Sequence, residues 1–175
     1  LAESGPYITG TMRDETMTII KEGLPITSLW GPRTNGLFQT VEEVQNYPNF
    51  RANTKPGDIR YVDNNDDGII DENDAVYLGP TFPKYIFGST FELSFKNFSL
   101  NLFFQGAAGV KTRIGGTITD GGIWEGFTHE IFTNNQWTPE TPDPNARFPL
   151  PRKSDNRNTR MSDWWVLDAS YLRLK

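Results

Sequence analysis

Tyr85-Ile86-Phe87-Gly88-Ser89-Thr90-Phe91-Glu92-Leu93-Ser94-Phe95-Lys96-Asn97-Phe98-Ser99-Leu100-Asn101-Leu102-Phe103-Phe104-Gln105 alternates apolar with polar residues along two arms that meet at Lys96-Asn97. In the first arm Tyr85, Phe87, Phe91, Leu93 and Phe95 share one parity, and Gly88, Thr90, Glu92, Ser94 and Lys96 share the other, with Ile86 and Ser89 as the two imperfections. A period of two belongs to a strand, whose successive side chains point to opposite faces. Past Lys96-Asn97 the parity switches, and Phe98, Leu100, Leu102 and Phe104 carry on the apolar set against Ser99, Asn101 and Gln105. A tight hairpin needs that switch to keep one face uniform through its turn. Each arm has about 8 to 11 residues, the length a tilted strand needs to cross the hydrocarbon layer of a bilayer. A soluble sandwich would use the same alternation to build its core. The make-up of the face separates the two: five Phe, one Tyr and three Leu form a lipid-facing pattern, whereas a packed core mixes in small and β-branched residues. The opposite face of Thr, Glu, Ser, Asn and Gln would then meet a wet lumen.

Outward from the hairpin the chain stays predominantly β, because short stretches rich in Ile, Thr, Phe and Tyr recur between clusters of Gly, Pro, Asn and Asp. Downstream, Gly106 to Asp163 shows no periodic segment and includes Gly115-Gly116, Gly121-Gly122 and a Pro-rich run from Pro139 to Pro151. Such a stretch suits the long loops on one side of a membrane barrel better than a small compact domain. Upstream, Thr16 to Lys21 reads as a strand, and Gly23-Leu24-Pro25-Ile26 bends the chain ahead of Ser28-Leu29-Trp30-Gly31. One short helix is expected at Val41 to Asn46, capped by Thr40, with Glu43 in a capping box and Pro48 as the stop.

Composition narrows the function. With 17 basic against 22 acidic residues the net charge is -5, the wrong sign for a phosphate-binding surface, so no nucleic-acid partner is expected. The absence of cysteine excludes disulfides, thiolate nucleophiles and Cys-ligated metals. The single histidine, His129, has no second His or Cys with which to share a transition metal, and no nucleophile elbow accompanies it, so the chain is not read as an enzyme. Trp30, Trp124, Trp137, Trp164 and Trp165 lie in or beside loops; packing or interfacial anchoring is expected of Trp164 and Trp165, and ligand contact is left open for Trp124.

One motif has metal-ligand spacing. Asp63 to Asp74 follows the D-x-[DN]-x-[DN]-G pattern of a calcium loop, with Gly68 at the sharp turn. Asp63, Asn65 and Asp67 would ligate Ca2+ directly, Ile69 through its backbone carbonyl, Asp71 through water, and Asp74 in the last place. The flanks, Ile59 to Val62 and Ala75 to Leu78, read as strands where a helix-loop-helix calcium site has helices, so residues 63-74 form an isolated loop with a structural role. Six acidic residues in twelve favour a cation. The competing reading is a loop folded by Asx turns without metal. On the residues alone the alternative function is a soluble calcium-binding β module for glycan binding or surface adhesion.

Several blocks occur together in order. Gly23-Leu24-Pro25-Ile26 with Trp30-Gly31, Thr34 to Gln39 with Glu42-Glu43-Val44, Pro56 to Tyr61 leading into the Asp63 to Asp74 loop, Gly79-Pro80 with Pro83-Lys84-Tyr85, Phe98 to Gly106, and Trp164 with Leu167 to Lys175 resemble the C-terminal part of SusC/RagA-type TonB-dependent outer-membrane transporters of Bacteroidetes. The resemblance implies that residues 1-175 are a fragment of a large antiparallel transmembrane β-barrel, 22-stranded in that family, with long extracellular loops. It implies an outer-membrane location, surrounding outer-membrane lipid, and a SusD-like surface lipoprotein as partner. It further implies energy from the TonB complex through an N-terminal region, and oligosaccharide or peptide cargo. The signal peptide, plug and remaining strands are expected elsewhere in a longer polypeptide. On this reading Lys96-Asn97 is a periplasmic turn, the Asp63 to Asp74 loop and the Gly106 to Asp163 stretch are extracellular, and Tyr171 to Lys175 begins another barrel strand.

Overall fold

The computed structural model describes residues 5–11, 14, 16–48, 53–116, 130–152 and 157–175. In chain order the elements are β1 (Tyr7–Thr9), β2 (Thr18–Ile20), β3 (Ser28–Gly31), β4 (Thr34–Leu37), α1 (Val41–Gln45), β5 (Ile59–Tyr61), β6 (Val76–Gly79) and β7 (Tyr85–Phe95). They continue as β8 (Phe98–Ala108), β9 (Lys111–Arg113), α2 (Glu130–Thr133), β10 (Val166–Asp168) and β11 (Tyr171–Leu174), with single turns of 3-10 helix at Glu72–Asp74, Arg157–Thr159 and Asp163–Trp165. Every strand pairing is antiparallel. The expected short helix forms where its cap demands: the Thr40 side chain accepts from Glu43 N at 3.1 Å, while the Glu43 carboxylate accepts from Gln39 N at 2.7 Å, one residue earlier than a capping box would place it.

The molecule divides its labour between a two-faced sheet, in the order β11-β8-β7, and a packed unit that holds the core. In the packed unit β1-β2-β3-β6 form one small sheet, and β4-β5 and β9-β10 pair as separate two-stranded ribbons. The core contains Leu29, Leu37, Ile59 and Tyr61 from the strands, Met17 from just before β2, Phe132, Trp137, Phe148 and Met161 from the stretch that lacks periodicity, and Trp165 from just beyond it. The expectation of a long structureless loop is therefore corrected for its described residues: Phe132, Trp137, Phe148 and Met161 of the core come from it. Its backbone is fixed one bond at a time, with Trp137 N donating to Phe148 O at 2.9 Å and Phe148 N to Asn135 O at 3.1 Å, so its apolar residues need no repeating interval. Phe132 stacks on Phe148 with ring centroids 4.0 Å apart, and Trp165 is fully buried with its Nε1 donating to Asn158 O at 2.7 Å. Trp137 is likewise buried, so both indoles serve packing.

A polar staple locks this core. Asp58, 1% exposed, accepts from Lys55 N at 2.8 Å and Asn158 Nδ2 at 3.0 Å, and pairs with Arg152 Nη2 at 2.9 Å. Asn158 in turn accepts from Ile59 N at 3.0 Å and donates to Leu150 O at 2.9 Å. Beside it Gly57 adopts φ +86°, and a Cβ there would stand 2.3 Å from the Trp137 ring and 2.7 Å from Leu150 Cβ. The Pro56-Gly57-Asp58 block is thus a place where the backbone passes directly beneath an indole.

Asp163 is a half-buried carboxylate. It accepts from Thr34 Oγ1 at 2.6 Å, and burial pushes its pKa upward, with the Thr34 bonds and the charge of Arg33 opposing. A raised pKa means that the folded chain holds this proton more tightly than the unfolded chain, so Asp163 favours folding below its unfolded value of 3.8 and that contribution is lost as pH rises through the folded pKa. Asp163→Asn retains an acceptor for Thr34 and removes the partly desolvated charge. The variant should therefore be more stable than the parent at pH 7, with the gap narrowing toward pH 3, as read from thermal unfolding at both pH values. A variant less stable at pH 7 contradicts this reading.

Three chain crossings join the packed unit to the sheet: β6 into β7, β8 into β9, and β10 into β11. They are tied to one another. Lys111 N donates to Pro80 O at 2.8 Å, Ala169 N to Val110 O at 3.0 Å, and Gly109 N to Ser170 Oγ at 3.1 Å. Lys111 Nζ also pairs with Asp168 at 3.1 Å; the Ser170 side-chain and backbone hydrogen bonds, and then Lys111, hold the Asp168 carboxyl down to about 2.

Candidate functional site

The sheet of β7, β8 and β11 is the first candidate. The register pairs Phe95 with Phe98, Leu93 with Leu100, Phe91 with Leu102, Ser89 with Phe104 and Phe87 with Gly106, so the residues assigned to one face from their parity do share it. Lys96, at φ +52°, and Asn97 make the two-residue turn. The opposite face carries Glu92 beside Asn101, joined by an amide-to-carboxylate bond of 3.3 Å, and Gly88 beside Gln105. β11 extends both faces: Leu172 pairs with Gly106 and Leu174 with Phe104 on the apolar side, while Arg173 pairs with Gln105 on the polar side. The segment Tyr171-Leu172-Arg173-Leu174 could not be assigned faces before its register was known, since four residues fit either sense. Phe103, whose parity sets it apart from the apolar residues around it, faces the polar side opposite Thr90.

Among the described residues no other element covers this apolar face. Phe91, Leu93, Phe95, Phe98 and Leu172 are all 58–67% exposed, while the core lies elsewhere in the chain. Internal contacts on the face are few, such as Phe91 edge-on to Phe104 at 5.7 Å, and Phe87 covering Gly106, where a Cβ would meet the ring at 2.3 Å. At about 3.3 Å per residue an 11-residue strand is about 36 Å long, which a 45° tilt reduces to about the 25 Å of a lipid-facing apolar band.

The acidic loop is the second candidate. It is anchored at Ile70, Asp74 and Ala75, all buried, and exposed from Asn64 through Ile69. Its oxygens serve its own backbone. Asp63 accepts from Gly68 N at 2.7 Å, Asn65 from Asp67 N at 3.1 Å, Asp67 from Ile69 N at 2.8 Å, and Asp71 from Asn73 N at 2.7 Å. Three of these are the two-residue Asx turns of the metal-free reading. Asp74, 0% exposed, bridges the ends of the loop by accepting from Asn64 N and Asp71 N at 2.7 and 2.8 Å. The donor set is all oxygen, as a hard cation requires. Among the described residues no three His, Cys, Asp or Glu side chains are grouped as a metal site. His129 and Trp124 lie outside the described residues. No helix among the described residues is long and apolar enough to cross a membrane.

Compared with known proteins, the chain matches no family model. It is 31% identical over 163 residues to TonB-dependent receptor P26 of Formosa agariphila, covering 91% of this chain and 16% of that protein. It is 28% identical over 157 residues to TonB-dependent receptor P3 of the same organism, covering 90% of this chain and 15% of that protein. The chain spans about a sixth of the length of these relatives. Two likenesses carried over nearly the whole chain, on a predominantly antiparallel β structure with one uncovered apolar sheet face, support the TonB-dependent receptor family.

Proposed function

We propose that these residues form part of a TonB-dependent outer-membrane transporter of the SusC/RagA type. In this reading β7, β8 and β11 are wall strands of its barrel, the packed unit lies outside the cell, and a SusD-like surface lipoprotein is the partner in importing oligosaccharides or peptides. The observation that carries the reading is the uncovered aromatic face, because a soluble chain with its own core would bury such a surface or replace it. Open edges in lipid leave backbone groups unsatisfied, so β7 and β11 require neighbouring strands from the rest of the polypeptide. The deciding experiment is fractionation of the source cells with sequencing of the band that contains these peptides. A chain far longer than 175 residues in the outer membrane supports the reading; a soluble chain of about 20 kDa sinks it and leaves the calcium-binding β module.

Calcium belongs to the same proposal as a structural ion of the loop, at Asp63, Asn65, Asp67, Ile69, Asp71 and Asp74. A carboxylate oxygen that accepts one N–H retains a second lone pair for a cation, and the six acidic residues of the loop repel one another without one. Millimolar Ca2+ should raise the melting temperature of the parent, and Asp63→Asn with Asp67→Asn should abolish that rise. No shift with Ca2+ in the parent would remove the ion from the proposal.

A further inference from the structure

Asn35-Gly36 is the chain's one asparagine followed by glycine. The pair lies in β4, where the ladder to β5 shifts register between Thr34 and Leu37. Asn35 is exposed, and Gly36 adopts φ +80° with open space where a Cβ would stand. Nothing among the described residues bonds the Asn35 side-chain amide. Its backbone carbonyl is engaged instead. Arg60 Nε donates to Asn35 O at 2.9 Å, and the Arg60 guanidinium stands 5.6 Å from the Tyr47 ring. Among the described residues no carboxylate forms an ion pair with Arg60.

A glycine after asparagine leaves the peptide nitrogen unhindered, since no Cβ obstructs its approach to the preceding side chain. Once the Gly36 nitrogen loses its proton it can attack Asn35 Cγ; a C–N bond forms there, the C–NH2 bond breaks, and ammonia leaves a cyclic succinimide. Water then opens the ring. Attack at Cγ yields aspartate, and attack at the backbone carbonyl carbon of residue 35 yields isoaspartate. The sum is one water consumed and one ammonia released, without oxidant or cofactor.

Arg60 bears on both steps through one atom. The negative charge of the deprotonated Asn35–Gly36 amide is shared with Asn35 O, where a cationic N–H donor stabilises it. In the ring that same oxygen belongs to the carbonyl whose opening gives isoaspartate, and a donor aimed at it stabilises the oxyanion formed on attack. Asp67-Gly68 is set the other way: Gly68 N donates to the Asp63 carboxylate at 2.7 Å, which opposes loss of its proton.

The geometry points to Asn35 as a site of spontaneous conversion to isoaspartate, with Arg60 speeding ring closure and directing ring opening. The inference requires only β4 and β5 and stands whether or not the hairpin spans a membrane. Conversion adds a methylene to the main chain two residues before the buried Leu37 and a negative charge beside Arg60.

The test incubates the purified native polypeptide at mildly alkaline pH and digests samples over time. Mass spectrometry counts peptides with the mass gain of an amide-to-acid exchange, and fragmentation distinguishes isoaspartate from aspartate. The reference is a synthetic peptide of residues 33–38, which carries Asn35-Gly36 without Arg60. Asn35 in the polypeptide should convert at least as fast as in the peptide, and faster than Asn64, Asn101 or Asn145. Arg60→Gln should slow the conversion about threefold or more, the loss of one charge-assisted hydrogen bond being sufficient for that margin. It should also lower the ratio of isoaspartate to aspartate, a change of product that a merely structural role for Arg60 would not cause. The peptide comparison needs no variant to fold. No mass gain at Asn35, a rate slower than the peptide's, or an Arg60→Gln protein with the parent's rate and product ratio would each overturn the proposal.

Discussion

Phe91→Arg should leave the polypeptide unassembled in the outer membrane, whereas Thr90→Arg, one residue away, should assemble near the parent level. Phe91 sits near the middle of an 11-residue strand on the uncovered apolar face, and Thr90 points to the polar face opposite Phe103. An arginine on the lipid side at the bilayer midplane costs about 2–4 kcal/mol, and the same residue facing a wet lumen costs little. The two readings of the hairpin make opposite forecasts. Phe91 is 58% exposed, so in a soluble protein the exchange would be a surface substitution within about 0.5 kcal/mol of neutral. The check is the fraction of each variant recovered in the outer membrane as folded, heat-modifiable protein. Parent-level assembly of Phe91→Arg would defeat the membrane assignment.

Gly57→Ala should unfold the packed unit while sparing the hairpin. The added methyl would lie 2.3 Å from the Trp137 ring and 2.7 Å from Leu150 Cβ, and the φ of +86° is one that L residues adopt at a cost. Left-handed backbone costs roughly 1–2 kcal/mol for alanine and overpacking another 1–3 kcal/mol, so the total is about 2–5 kcal/mol. Asp58→Ala should do comparable damage by another route, since it strands Arg152, the Asn158 amide and Lys55 N, and removing one partner of a buried ion pair costs about 3–5 kcal/mol. Tryptophan fluorescence reports both, because Trp137 and Trp165 are buried in that core. A Gly57→Ala protein with the parent's emission spectrum and melting temperature would show that the chain can move away from the indole, contrary to this packing.

The hairpin was legible because its signal is local. Twenty-one consecutive residues held their own register, and the parity switch at Lys96-Asn97 located the turn without any knowledge of the rest of the chain. The helix at Val41–Gln45 was legible for the same reason, being written in Thr40 and Glu43. The core was not. Phe132, Trp137, Phe148, Met161 and Trp165 converge from backbone with no repeating interval, so no periodicity could announce that they meet. The acidic loop was half legible: its spacing foretold a tight oxygen-lined turn, but not that Asp74 would be wholly buried and committed to the amides at both ends of the loop. The packing of Arg147 gave no signal either, since a lone arginine in a Pro-rich run becomes notable only once three rings are seen around it.

The pairing of Leu172 with Gly106, and of Arg173 with Gln105, has a kinetic consequence. β7 and β8 are joined by two residues and can zip as soon as both have been made, on the microsecond scale of hairpins. The other edge of β8 must wait until the rest of the packed unit has been synthesised and its ends have been brought back beside Gly109 and Ser170. During that interval a bare aromatic ribbon with an open edge stands in water, the most aggregation-prone species on the path. Collapse of the packed core delivers β11 to its place, so a lesion such as Gly57→Ala prolongs the exposure of a sheet that it never touches. If the proposed outer-membrane location holds, periplasmic holdases would see the mutant as a longer-lived client, and the loss would register as turnover rather than as altered transport.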